Sequence, residues 1–183
     1  MSLKHAILSM VISGPKTGYA IAKEFDGSVN YYWQASHQQI YKTLADLEAQ
    51  KWLCCTKVKQ VSKPDKKEYG ITQIGEKELQ CWVELPIKAQ PVKNALLIKL
   101  LSIELVGVLP LIKQLEETKV AMSQKLSVFQ NIKQQYYSCD PAKIDSLYLT
   151  AKYLTLTKGI SWVCSELEWL DDSIGLLKKK LVI

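Results

Sequence analysis

Arginine is absent from this 183-residue chain, so the 24 basic side chains are all lysine. Bidentate guanidinium contacts to a guanine edge or a phosphate are therefore excluded, and any polyanion has to be met by ammonium point charges and neutral donors. Histidine is scarce, with His5 and His37 alone, and the five cysteines (Cys54, Cys55, Cys81, Cys139, Cys164) form no C-x-x-C pair. Zinc needs clustered ligands, so no metal is expected, and an odd, scattered set reads as reduced thiols inside a cell. No apolar run approaches the roughly 18 residues of a membrane span. Ala6 to Ile12 is apolar but short, and without a small-x-small cleavage site it does not make a signal peptide. A soluble, cytoplasmic protein with no membrane partner is expected. The nucleophile elbow G-x-S-x-G, the phosphate-binding P-loop and the dinucleotide fingerprint G-x-G-x-x-G are all missing. Neither His has an obvious carboxylate or Cys beside it in sequence. His5, at the start of a helix, is expected at the surface or in a cap. No catalytic residue and no cofactor are assigned.

What is present is a chain that is 48% hydrophobic with a formal net charge of +6. A core can be buried, and an anionic partner is favoured without being required. Lysine exceeds acid only modestly on either side of position 86, so the placement of charge matters more than its total.

The punctuation Leu85-Pro86-Ile87-Lys88-Ala89-Gln90-Pro91 interrupts helical patterning. It divides the chain into a domain at 1–86 and a second at 92–183. In the first, Ala6, Ile7, Met10 and Val11 form one helical stripe ended by Gly14-Pro15. Thr17 caps a second helix with Ile21 and Phe25 on one face, closed by Gly27. Ser36-His37-Gln38-Gln39 reads as a capping box opening a third helix whose inner face is Ile40, Leu44 and Leu47. Leu53 to Gln60 and Lys67 to Ile71 are strand-forming around the turn Lys63-Pro64-Asp65, and Thr72 caps a fourth helix through Leu79, Trp82 and Val83. On the strand, one of Cys54 and Cys55 faces inward and the other outward. Tyr31, Tyr32 and Trp33 are expected to cover the core. Three helices, a two-stranded ribbon and a helix is the order of a winged helix-turn-helix.

The second domain reads as all helix. Asn94 to Ile103 makes a short one. From about Gly107 a long helix carries Leu115, Met122, Phe129 and Tyr136 at seven-residue spacing, filled in by Leu126 and Ile132. Asp140-Pro141 is expected to start the last helix, along which Val163, Leu167, Leu170, Ile174, Leu177 and Leu181 make a heptad seam. The two pack as an antiparallel hairpin with one apolar stripe left over. About 90 residues of this kind make only a thin core, so a second copy is the natural cover and the seam is assigned to dimerisation.

On a helical wheel, the third helix turns Gln38, Lys42, Ala45 and Ala49 away from its apolar face, with Gln39 and Tyr41 to either side. That surface is polar at its N-terminal end and small further on, as suits a helix pressed into a major groove. Lysines at the hairpin tip (Lys63, Lys66, Lys67), with Lys57 and Lys59 along the preceding strand, suit a phosphate backbone. Each feature alone also has an ordinary explanation, in a solvated helix face and in lysines that keep an edge strand from pairing.

Taken together the residues are more specific. Ile7-Leu8, then Gly18-Tyr19-x-Ile21, then Gln39-Ile40-Tyr41-x-x-Leu44-x-x-Leu47-Glu48, then Pro64-Asp65-Lys66-Lys67-x-Tyr69-x-Ile71-Thr72-x-x-Gly75 resemble the PadR family of bacterial transcriptional regulators. The block Tyr32-Trp33-x-Ala35-Ser36-His37-Gln38-Gln39-Ile40-Tyr41 is similar to its AphA-like branch. The resemblance implies a homodimer with interlocking C-terminal helices on a near-palindromic promoter site in double-stranded DNA. It implies Ser36, His37, Gln38, Gln39, Tyr41 and Lys42 at the major groove, Lys63, Lys66 and Lys67 on the backbone, and Lys16 counted among the DNA contacts. Some members respond to small aromatic acids, and nothing in these residues names an effector. Two departures stand out: the wing carries Lys66-Lys67 where an Arg is usual, and Trp52 stands where a Gly commonly precedes the first wing strand. The expected fold class is α+β, an N-terminal winged helix-turn-helix followed by an all-α antiparallel helical dimerisation domain. The rival reading is a winged helix that contacts protein and no DNA.

Overall fold

The computed structural model describes residues 3–29, 33–58, 66–87, 93–138, 142, 144 and 146–181. The chain divides into two compact units, Met1–Ala89 and Gln90–Ile183.

The first unit opens with α1 (Leu3–Val11), which buries Ile7, Leu8, Met10 and Val11. His5 is buried with them: its ring stacks on Trp82 at 4.6 Å between centroids, and Nε2 lies 3.3 Å from Glu78. The expectation of a surface or cap histidine is therefore overturned, because both partners come from a helix more than seventy residues away in sequence. After the turn comes β1 (Lys16–Thr17), then α2 (Gly18–Glu24), capped as expected by the Thr17 hydroxyl, which accepts from the Ala20 N–H at 3.1 Å. Gly27 does not close this helix. It continues as a π-helical turn, Phe25–Val29, since Phe25 and Val29, four apart, are both buried and hold the chain in helical form past the glycine.

α3 (His37–Ala49) starts on a complete capping box. Ser36 Oγ accepts from Gln39 N–H at 3.2 Å, and Gln39 Oε1 accepts from Ser36 N–H at 2.9 Å. Ile40, Leu44 and Leu47 are fully buried, each contributing roughly 1.5–3 kcal/mol by leaving water. Strands β2 (Leu53–Val58) and β3 (Lys66–Ile71) pair antiparallel, Leu53 opposite Ile71 and Val58 opposite Lys66. The sheet has three strands, in the order β1-β3-β2, where the sequence shows two. Two residues beside a proline are too few to display alternation, so β1 is invisible until β3 pairs with it.

α4 (Gln73–Glu84) is capped by Thr72, whose hydroxyl accepts from Gly75 N–H and itself donates to the Lys51 carbonyl at 2.6 Å. A Cβ on Gly75 would lie 2.2 Å from the Trp52 carbonyl oxygen, so only glycine lets α4 approach the start of β2. Trp33, Trp52 and Trp82 close over the edge of the core. Cys55 packs inward and Cys54 is exposed, as the strand alternation requires.

In the second unit Asn94 caps α5 (Ala95–Leu100), which ends before the expected Ile103. A separate turn, α6 (Ile103–Val106), follows, and Gly107 at φ 76° breaks it from α7 (Val108–Tyr136). The described part of the last helix, α8, is Leu147–Leu181, with Ser146 Oγ accepting from Leu149 N–H; Asp140 and Pro141 lie outside the described residues. α7 and α8 run antiparallel: Glu116 meets Lys178 at 2.7 Å, Lys119 pairs with Asp171, and the Lys125 ammonium lies over the Trp162 ring. Half of the six seam residues assigned to a partner copy are buried within the single chain. Val163, Leu170 and Ile174 are buried, the last two against Ile112 and Leu115, and Leu177 packs at their edge. Leu167 is half-buried and Leu181 is exposed.

Candidate nucleic-acid interface

With Ile40, Leu44 and Leu47 inward, the geometry of α3 leaves Gln38, Gln39, Tyr41, Lys42, Ala45 and Ala49 exposed. Gln38 and Lys42 lie one turn apart on that face, and the side chains beyond them are small. Gln39 is committed at its Oε1 to the capping box, and its amide nitrogen is the end that stays available. Tyr41 is half-exposed and leans on Gly18: a Cβ there would sit 2.8 Å from the ring. The glycine therefore lets the tyrosine lie across the start of α2.

His37, the first residue of α3, places Nε2 2.8 Å from Asp26 Oδ2. No carboxylate adjoins His37 in the sequence, and this one comes from the π-helical turn eleven residues earlier. Lys16 ion-pairs with Glu24 and is mostly buried, so its charge is largely spent inside the domain. In this respect the expectation for Lys16 is altered. Ser36 is exposed, with its oxygen engaged in the cap.

On the wing, Lys66 and Lys67 are exposed at the start of β3, and Lys63 lies outside the described residues. Lys57 stands directly opposite Lys67 across the ladder. Directly opposed residues share a face, and like charges there are destabilising. Both lysines are exposed, so the ladder presents two ammonium groups on one face. The chemistry of the whole surface is that of polar donors and acceptors on a helix flanked by ammonium groups on a strand ladder.

Among the described residues no group of His, Cys, Asp and Glu could hold a metal ion, and no helix is long and apolar enough to cross a membrane. Tyr69, opposite Cys55, is buried, and this burial pushes its hydroxyl above the usual value of 10.0, with smaller contributions from Cys55, Glu48 and Tyr41.

Residues 7–81 match the family described as Transcriptional regulator PadR-like family, and residues 92–178 match Virulence activator alpha C-term. The chain is 33% identical over 190 residues to the probable transcriptional regulator Rv1176c of Mycobacterium tuberculosis, covering 98% of this chain and 100% of that protein. Among solved structures it is similar to Bacillus subtilis PadR in complex with operator DNA, with TM-score 0.84 and 26% identity, covering 96% of this chain and 98% of that one. It is also similar to the Vibrio cholerae virulence activator AphA, with TM-score 0.79 and 30% identity, covering 98% and 99%.

Proposed function

The chain belongs to the PadR-like family of transcriptional regulators, and from that premise we propose that it binds near-palindromic promoter DNA as a homodimer. α3 enters the major groove of each half-site, and the β2–β3 wing follows the phosphate backbone. Gln38 and Lys42 reach base edges, with Tyr41 beside them. Gln can serve adenine with two hydrogen bonds, and Lys can serve guanine or a phosphate. Lys57, Lys63, Lys66 and Lys67 hold the backbone. The observation that carries this reading is the exposed, polar-then-small outer face of a fully capped α3 beside a cross-strand lysine pair.

Dimerisation belongs to the second unit. Because Val163, Leu170 and Ile174 are already covered within the α7–α8 hairpin, the surface for a second copy is the apolar stretch of α5, α6 and the start of α7. Leu101 and Leu105 are 82% and 88% exposed there, with Ile98 and Leu109 beside them. Leu181 can extend the contact from the end of α8.

A titration of the full-length protein on DNA from its own upstream region, at several salt concentrations, tests the proposal. A dimer making about 6–10 lysine–phosphate contacts loses on the order of 10³- to 10⁵-fold in affinity between about 50 and 200 mM salt, through release of condensed counterions. A nearly flat salt response would overturn it in favour of a winged helix that contacts protein.

A further inference from the structure

His37 occupies the first position of α3 with its side chain 55% exposed, and Asp26, whose carboxylate touches it, is 59% exposed. If α3 lies in the major groove, Asp26 brings a negative charge to the end of the helix that first meets DNA. An anion in that place opposes the phosphates unless a cation accompanies it. The charged groups on neighbouring elements are otherwise disposed. Glu24 at the end of α2 is held by Lys16 of β1, Lys23 is exposed in the last turn of α2, and the next charge on α3 is Lys42, more than a turn further on. The imidazole of His37 is the group that reaches the Asp26 carboxylate, and an imidazole is a cation only when protonated.

We propose that the Asp26–His37 pair makes DNA binding take up protons, so that the regulator holds its DNA more tightly as pH falls through the range in which histidine titrates. In the neutral ring, with Nε2–H donating to Asp26, Nδ1 carries a lone pair and repels a phosphate oxygen. In the imidazolium both nitrogens donate: Nε2–H closes the charge pair with Asp26, and Nδ1–H is free for a phosphate. The phosphates stabilise the charged ring, so the bound state holds more protons than the free state, and by linkage affinity rises as pH falls. Lysines stay charged throughout this range and contribute no such dependence. The inference rests on the reading of α3 as the DNA-binding helix.

The test is fluorescence anisotropy of the full-length protein on its upstream duplex and on a random duplex, at constant ionic strength and at about pH 6, 7 and 8, spanning the histidine range. The wild type should bind both duplexes on the order of tenfold more tightly at the lowest pH than at the highest. His37→Gln should lose this dependence, and His37→Lys should bind tightly at every pH. Asp26→Asn should bind more tightly than the wild type at the highest pH, with circular dichroism showing each variant folded. The chain has one other histidine, buried His5, so a His37→Gln protein that keeps the wild-type dependence overturns the proposal. So does an Asp26→Asn protein no tighter than the wild type. Absence of binding to either duplex at every pH is a different result: it overturns the DNA-binding reading itself, and the proton linkage with it.

Discussion

Lys51 ends α3 at φ 59°, the left-handed conformation that glycine adopts freely and other residues seldom do. The hydrogen bonds explain why it is held there. Lys51 N–H donates to the Glu48 carbonyl and Trp52 N–H to the Leu47 carbonyl, which together close the last turn in a Schellman motif. The left-handed conformation costs lysine about 1–2 kcal/mol, and glycine's freedom in the unfolded chain returns about 0.5–1 kcal/mol of that difference. Lys51→Gly should therefore stabilise the protein by about 0.5–1 kcal/mol, read as a rise of a few degrees in the first thermal transition. An unchanged or lower Tm would show that the Lys51 side chain contributes more than its backbone costs. At Trp52, next in sequence, no left-handed residue is needed, because the turn takes it one position earlier, and the indole ring lies beneath the Lys4 ammonium. Tyr69 sets a second residue-scale expectation. Its folded-state ionisation is raised by burial, so the unfolded chain releases the proton first as pH climbs. The stabilising contribution is whole below pH 10.0 and is lost as pH rises above it. Denaturant unfolding across that interval should show stability falling with pH, and Tyr69→Phe should shallow the fall.

Two elements divide the work of DNA recognition in the proposed reading, and they should fail differently. Groove edges differ between base pairs, whereas phosphates are alike everywhere. Gln38→Ala on α3 should weaken binding to the operator by roughly 1–3 kcal/mol more than binding to random DNA. Lys66→Ala on β3 should weaken both about equally and lower the salt slope by about one for each phosphate no longer neutralised. Paired titrations on operator and scrambled duplexes at two salt concentrations separate the cases. If Lys66→Ala erases discrimination while Gln38→Ala weakens both duplexes alike, the assignment of helix to bases and wing to backbone is wrong.

At the scale of the molecule, each of the two units has its own packing logic. The first is a closed core under three tryptophans. The second is a hairpin of two long helices joined by ion pairs at Glu116–Lys178 and Lys119–Asp171, with large apolar side chains left outside. That difference separates two kinds of substitution. Leu101→Lys with Leu105→Lys changes residues exposed in the single chain, so helicity should survive while light scattering reports a monomer and DNA affinity falls. Leu170→Lys puts a charge into the closed α7–α8 contact, where it has no partner, and should unfold the second unit, seen as a fall in helical signal. A dimer that persists in the double variant would move the interface elsewhere on the second unit.

Whatever rests on a few neighbouring residues was legible before folding. The caps at Thr17, Ser36 and Thr72 were readable because each hydroxyl bonds an amide three residues on. The inward face of α3 and the long heptad helices were readable because helical period repeats within a window. Packing between elements settled the rest. His5 became a stacked core residue through Trp82, and β1 became a strand through Tyr69 and Glu68. Lys16 was drawn from the surface by Glu24, His37 acquired Asp26, and Leu170 and Ile174 of α8 found Ile112 and Leu115 of α7. In each of these the deciding partner comes from another element of the fold. Neither period nor propensity carries that information, because it arises only when the chain returns on itself and brings two separately patterned segments into contact.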